Sequence, residues 1–165
     1  MTQRQRDAEF EAYVAMARPR LRRLAYSLCG DWHRADDILQ TALAKLYVAW
    51  PRVVRASNPD AYVRRTVVRA SIDESRRPWR REQSGLDGHD RPGADAAVLE
   101  RHDLVAALQR LPEMQRKTVV LRHWLGLSVA ETAHDLGIAE GTVKSHTSRA
   151  LAALQELMSE KEHRP

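Results

Sequence analysis

Residues 78–95, PWRREQSGLDGHDRPGAD, carry almost no apolar side chain, and they divide a chain that is elsewhere patterned in three- and four-residue apolar steps. So polar a stretch buries too little surface to offset the entropy of ordering it. It therefore reads as a linker, and a chain of 165 residues has room for one small domain on each side of it. Ala, Leu and Arg abound, β-branched runs are scarce and there is one Phe, so propensity favours helices throughout. The expectation is an all-α fold of two small helical domains, 7–79 and 97–160, joined by a flexible linker at 80–96.

Before the linker, Phe10, Tyr13, Val14, Ala17, Leu21, Leu24, Ala25 and Leu28 line one face of a helix that ends at Gly30. Pro19 predicts either a kink or a break into two helices. A second helix carries Ile38, Leu39, Ala42, Leu43, Leu46, Tyr47 and Trp50 inward and stops at Pro51, with residues 52–57 as a loop. Asn58 followed by Pro59 is an N-cap with proline at the first helical position, opening a third helix that runs to about Arg77. After the linker, Val98, Leu104, Val105, Leu108 and Leu111 mark one helix, and Pro112 opens another carrying Val119, Val120, Leu121 and Trp124 to Gly126. Ser128 with Glu131 makes a capping box for a helix over Val129–Leu136, Gly137 ends it, and the last helix starts near Glu140.

Residues 127–154, LSVAETAHDLGIAEGTVKSHTSRALAAL, place a short helix, a tight turn at Gly137 and Ile138, and a longer helix in succession. Ala133 is small where two helices cross, and Ile138 with Val143 plugs the gap between them. This is the grammar of a helix-turn-helix, whose second helix enters the major groove of DNA. Thr142, Lys144, Ser145, His146, Ser148 and Arg149 avoid the stripe of Val143, Ala150 and Leu151, which makes them the candidates for phosphate and base-edge contacts. A merely solvated polar face is the plain alternative for any of them, most of all for His146.

Charge points the same way. Lys and Arg number 27 against 22 Asp and Glu, a net charge of +5, and all but four of the cations are arginines. Nine arginines fall between residues 52 and 81 with Tyr62 and Trp79 among them, the composition of a surface that follows a single strand and stacks its bases. Core packing would account for either ring equally well.

Enzyme classes find no support. The seven histidines are scattered without metal-ligand spacing, no glycine-rich phosphate loop occurs, and adjacent Asp36 and Asp37 point to different helix faces rather than forming an acid–base pair. No metal or cofactor is expected. Cys29, the single cysteine, forms no internal disulfide and suits a reducing cytoplasm. No apolar run reaches the ~20 residues of a membrane span.

Residues 35–50, ADDILQTALAKLYVAW, resemble region 2 of bacterial sigma factors, and residues 97–155, with LPEMQRKTVVLRHW and GTVKSHTSRALAAL, resemble region 4. Two such regions with a short linker match the extracytoplasmic-function group in its actinobacterial branch. The resemblance implies a subunit that docks on the β′ clamp helices of core RNA polymerase through the face of Asp37, Gln40 and Thr41, and on the β flap. It implies that residues 53–60 and the following helix capture a flipped base of the melted −10 strand, with Arg55, Ser57, Asn58, Tyr62, Arg65 and Arg69 on that surface. In region 4, Lys144, Ser145, Ser148 and Arg149 fall where the family reads the −35 element, and Thr142 where it meets phosphate. The chain departs from the pattern at Thr41, where many members have Glu, and at Arg69, where many have Asn. Members of the group are commonly held inactive by an anti-sigma protein, and the resemblance extends that expectation to this chain. A conventional helix-turn-helix regulator acting on duplex DNA alone is the competing reading, and an antagonist of sigma factors a remote third.

Overall fold

The structure, a computed structural model, describes residues 1–77 and 96–165. Every regular element among them is helical, and the chain divides into two compact units, Met1–His89 and Asp90–Pro165. The linker expected at 80–96 and the stacking role of Trp79 lie outside the described residues, except that Ala96 opens a helix.

In the first unit α1 spans Gln3–Cys29. A capping box starts it: Thr2 Oγ1 accepts from the Gln5 amide at 3.2 Å, and the Thr2 amide donates to Gln5 Oε1 at 2.8 Å. Gly30 ends it in the left-handed region at φ 76°. The two-helix alternative at Pro19 does not occur. One helix passes through the proline, whose ring faces solvent, while Ala17, Leu21, Ala25 and Leu28 are buried on the opposite side. Their burial, about 1.5–3 kcal/mol for each leucine, offsets the missing amide donor.

Asp31 caps α2, Trp32–Val48, by accepting from the Arg34 amide at 3.0 Å. That helix stops two residues short of Trp50, and the loop expected at 52–57 is instead largely a short helix, α3, over Trp50–Arg55. Proline ends one helix but also suits the first turn of the next, and Pro51 occupies that place in α3. The helical turn buries Trp50 and Val53 together. Asn58 Oδ1 accepts from the Ala61 amide at 3.1 Å to cap α4, Pro59–Ser75, as the sequence suggests. The helix ends before Arg76 rather than at Arg77.

Ile38, Leu39, Leu46, Val63 and Val67 fill the space among α1, α2 and α4 at no more than 1% exposure. Phe10 meets Tyr47 and Trp50 edge-on at 5.3 Å. Glu74, buried near the end of α4, accepts from Arg34 Nη2 at 2.9 Å and so ties that end to the start of α2.

In the second unit α5 covers Ala96–Gln109 and α6 covers Glu113–Val119. The chain then widens into a π-helical turn, Val120–Trp124, closed by the Leu125 amide on the Val120 carbonyl at 3.1 Å. Val119, Val120 and Leu121 are buried as expected, but Trp124 is 44% exposed. In the wider turn each residue rotates through less than the α-helical 100°, so the phase falls behind and the indole leaves the core face. Gly126 follows at φ 68°, and the Arg122 guanidinium donates to the Leu127 carbonyl, bracing the connection to α7, Val129–Leu136. The predicted capping box of Ser128 and Glu131 is formed, at 3.0 and 3.1 Å, and Gly137 closes α7 at φ 69°.

The last helix, α8, runs over Glu140–Glu162. Val143 and Ala150 are buried, but Leu151, expected in the same stripe, is 41% exposed. It stands one residue and about 100° past Ala150, which turns it off the core axis. With Leu104, Leu108, Val119, Val120, Trp124 and Leu154 it lines an apolar groove of about 430 Å³.

Candidate nucleic-acid and protein interface

Three surfaces carry the residues singled out in the sequence. On α2, Asp37 and Gln40 are exposed and Thr41 is half-buried. Three- and four-residue spacing makes them neighbours on the helix. Gln40 also lines a groove of about 670 Å³ between α1 and α2 with Phe10, Val14, Arg18, Asp36, Leu43 and Tyr47.

Asp36, which the sequence reading set aside, belongs to this surface. Arg22 of α1 holds it with two bonds, Nε to Oδ1 at 2.6 Å and Nη2 to Oδ2 at 3.2 Å. The hydrogen bond from Arg22 holds the Asp36 carboxyl below its ordinary range. The same guanidinium lies 4.4 Å from the centre of the Trp32 ring, which stacks on Tyr26 at 3.9 Å.

The second surface is the corner between α3 and α4. Arg55 is exposed and donates through Nε to the Pro51 carbonyl at 2.8 Å, Ser57 is exposed, and Asn58 spends Oδ1 on the cap of α4. From Asn58 the stripe continues along α4 through Tyr62, Arg65 and Arg69 at spacings of four, three and four residues. Tyr62 is half-buried against the core, Arg65 is half-buried and Arg69 is exposed. The corner and the helix thus form one strip, shorter in its irregular part than the loop 53–60 that the sequence suggested.

The third surface is α8. Lys144, Ser145, Ser148 and Arg149 are exposed on the side opposite Val143 and Ala150. Thr142 and His146 flank this face, both half-buried, and the His146 Nδ1 is buried without a hydrogen-bond partner. Ser145 donates to the Thr142 carbonyl at 3.1 Å, a bond within the helix that leaves its oxygen facing outward as an acceptor. The turn before α8, with Gly137 in the left-handed region and Ala133 buried at the crossing, has the geometry of a helix-turn-helix.

Among the described residues no group of three or more His, Cys, Asp or Glu side chains could hold a metal, and no helix is long and apolar enough to cross a membrane. Cys29 is buried, its thiol pushed up to about 11 by that burial, so it stays protonated at neutral pH.

Residues 5–81 match the family model for sigma-70 region 2, and residues 101–154 match that for sigma-70 region 4. The chain belongs to the sigma-70 family of RNA polymerase sigma factors, in its extracytoplasmic-function group. It directs transcription initiation and is not catalytic in its own right. It is 39% identical over 155 residues to the RNA polymerase sigma-E factor of Streptomyces coelicolor, covering 90% of this chain and 85% of that one. The sigma factor SigL of Mycobacterium tuberculosis is 35% identical over 148 residues, covering 84% and 82%. Among solved structures, the sigma factor RpoE bound to the anti-sigma factor NepR of Bartonella quintana superposes with a TM-score of 0.73 at 28% identity, covering 92% of this chain and 97% of that one. CnrH in complex with the cytosolic domain of CnrY shares the fold at a TM-score of 0.62 and 23% identity, covering 93% and 89%.

Proposed function

We propose that the three surfaces divide one task, with 7–79 acting as region 2, 97–160 as region 4 and 80–96 as the tether between them. Asp37, Gln40 and Thr41 dock on the β′ clamp helices of core polymerase, with Asp36 and Arg22 bracing the docking face. The apolar groove of the second unit receives the β flap, since an open face lined by Leu104, Leu108, Leu151 and Leu154 gains most from an apolar partner. The strip of Arg55, Ser57, Asn58, Tyr62, Arg65 and Arg69 takes the melted −10 strand. A flipped base costs a few kcal/mol to unstack, which stacking and hydrogen bonds at the right sequence offset. Strand opening is then favourable only where those contacts form.

The observation that carries the DNA reading is the outward face of α8. Lys144, Ser145, Ser148 and Arg149 stand together opposite a buried stripe, behind a glycine turn that aims them into a major groove. Thr142 meets phosphate and His146 supports the edge of the face. The protein works in the cytoplasm, and an anti-sigma protein, of the kind that RpoE binds in its complex with NepR, would hold it inactive by covering both polymerase-binding faces.

Run-off transcription with reconstituted core polymerase tests the assignment. Asp37→Ala with Gln40→Ala should abolish co-purification with core while helical circular dichroism is unchanged. Arg149→Ala and Lys144→Ala should lose activity unequally across −35 variants, by about ten- to a hundredfold where a base contact is removed. Retained core binding by the double variant would overturn the docking face.

A further inference from the structure

Tyr47, near the end of α2, is half-buried, and its ring meets Phe10 of α1 edge-on at 5.3 Å. A phenylalanine would pack the same way, yet the hydroxyl is engaged on both sides by the start of α1. It donates to Asp7 Oδ1 at 2.6 Å and accepts from Gln3 Nε2 at 2.7 Å, and Gln3 Nε2 also reaches Asp7 Oδ1 at 3.2 Å. Arg6 closes the group: its Nη2 donates to Gln3 Oε1 at 3.0 Å, and its guanidinium lies 4.8 Å from the centre of the Tyr47 ring. Helix ends fray, and these bonds fasten the start of α1 to the end of α2.

What they fasten lies behind the corner of α3 and α4. Phe10, one turn after Asp7, also meets Trp50 edge-on at 5.3 Å, and Tyr13, a turn further on, meets the same indole at 5.2 Å. Trp50 opens α3 and is buried, and the carbonyl of the next residue, Pro51, accepts from Arg55 Nε at 2.8 Å. A path of contacts therefore runs from the Tyr47 hydroxyl, through the rings of Phe10 and Trp50, to the backbone group that orients Arg55.

We infer that Tyr47 and Asp7 are positioning residues for Arg55: the hub at the start of α1 holds Phe10 against Trp50, and so holds α3 where Arg55 meets the melted −10 strand. The inference rests on the proposed reading of this corner and adds to it residues that touch no DNA. A guanidinium contact is directional, so a small displacement of α3 weakens it without unfolding the helix. The hub should therefore matter for the single strand and not for core polymerase or the −35 duplex.

The experiment uses the full-length chain with core polymerase, a promoter selected by the wild-type holoenzyme from a randomised library, and a fork fragment of that promoter whose −10 non-template strand is single. Tyr47→Phe, Asp7→Ala and Asp7→Asn are compared with wild type, each alone and combined with Arg55→Ala, at matched salt and well below the thermal midpoint. Tyr47→Phe and Asp7→Ala should bind core and a −35 duplex as wild type does but bind the fork about three- to tenfold more weakly, the size of one lost hydrogen bond. Asp7→Asn keeps the acceptor oxygen and should restore most of that affinity. In the Arg55→Ala background the same changes should cost little more, because the group they position is gone. Wild-type fork affinity in Tyr47→Phe, losses that add in full to that of Arg55→Ala, or an equal loss of core binding overturns the inference alone. Arg55→Ala binding the fork as wild type does overturns the reading of the corner at Arg55, and this inference with it.

Discussion

In Met1–His89 the largest fully buried side chains are leucines, an isoleucine and valines, and the aromatic rings of Phe10, Tyr13, Tyr47 and Trp50 close one edge of the core. In Asp90–Pro165 the largest is Lys117, at 1% exposure, with Thr118, Thr132 and Asp135 buried as well, while Trp124, Leu125, Leu151 and Met158 stand in solvent. A smaller unit has less interior to offer and fills part of it with the methylene stem of a lysine. Exposed apolar side chains occur on both units, Met16, Val48 and Val54 on the first among them, but on the second Trp124 and Leu151 line one groove with Leu104, Leu108 and Leu154. The contrast separates a unit whose largest buried side chains are apolar from one that buries a lysine and carries an open apolar groove.

The largest effect should come from the apolar core of the first unit. Leu46→Ala removes a side chain at 0% exposure and should cost about 2–5 kcal/mol. Hydrogen exchange should show the loss in the first unit while the second keeps its protection. Spread of the loss into α8 would break the comparison by showing that the units share one stability.

The buried lysine tests the other side. Lys117 Nζ donates to Glu113 Oε1 at 2.6 Å, so Glu113→Ala takes an acceptor from a buried ammonium and should cost about 1–3 kcal/mol in denaturant unfolding. Lys117→Met keeps the stem and removes the charge, and should cost less. Equal losses would mean that the ion pair is incidental to the packing.

The groove should behave in the opposite sense from the core. Leu151→Ala touches an exposed side chain and should change stability by less than about 0.5 kcal/mol, yet weaken binding of the chain to core polymerase. A pull-down set beside a thermal melt reads both quantities.

The smallest effect lies at the rim of the first unit. The Asp36 carboxyl is held below its ordinary value of 3.8 by Arg22. Its contribution is therefore present above that value and fades as pH falls toward the folded one. Asp36→Asn should flatten the acid limb of the stability curve slightly, and less so in about 1 M salt, where the Debye length is about 3 Å.

Features written into four or five consecutive residues were legible in the sequence: the caps at Asn58 and Ser128, the left-handed glycines at 30 and 137, and with them the turn that joins α7 to α8. A cap is a bond between near neighbours, so its residues announce it. Pro51 misled because the same ring stops one helix and starts another, and only the burial of Val53 distinguishes the two. Trp124 and Leu151 read as inward-facing in the sequence because a constant helix phase contains neither the π-helical turn nor the drift past Ala150. On the candidate surfaces, Lys144, Ser145, Ser148 and Arg149 do emerge together, whereas Asp36 becomes visible only through its partner fourteen residues away.

The brevity of the corner between α3 and α4 has a kinetic meaning. Only Ala56 and Ser57 separate the end of α3 from the cap of α4. Ordering a residue costs about 1–2 kcal/mol, and here most of that ordering precedes any encounter with DNA. On the proposed reading of this corner as the −10 surface, an arriving single strand meets a surface already in shape, so the tempo of capture, and its temperature dependence, should follow the breathing of the duplex rather than any rearrangement of the protein.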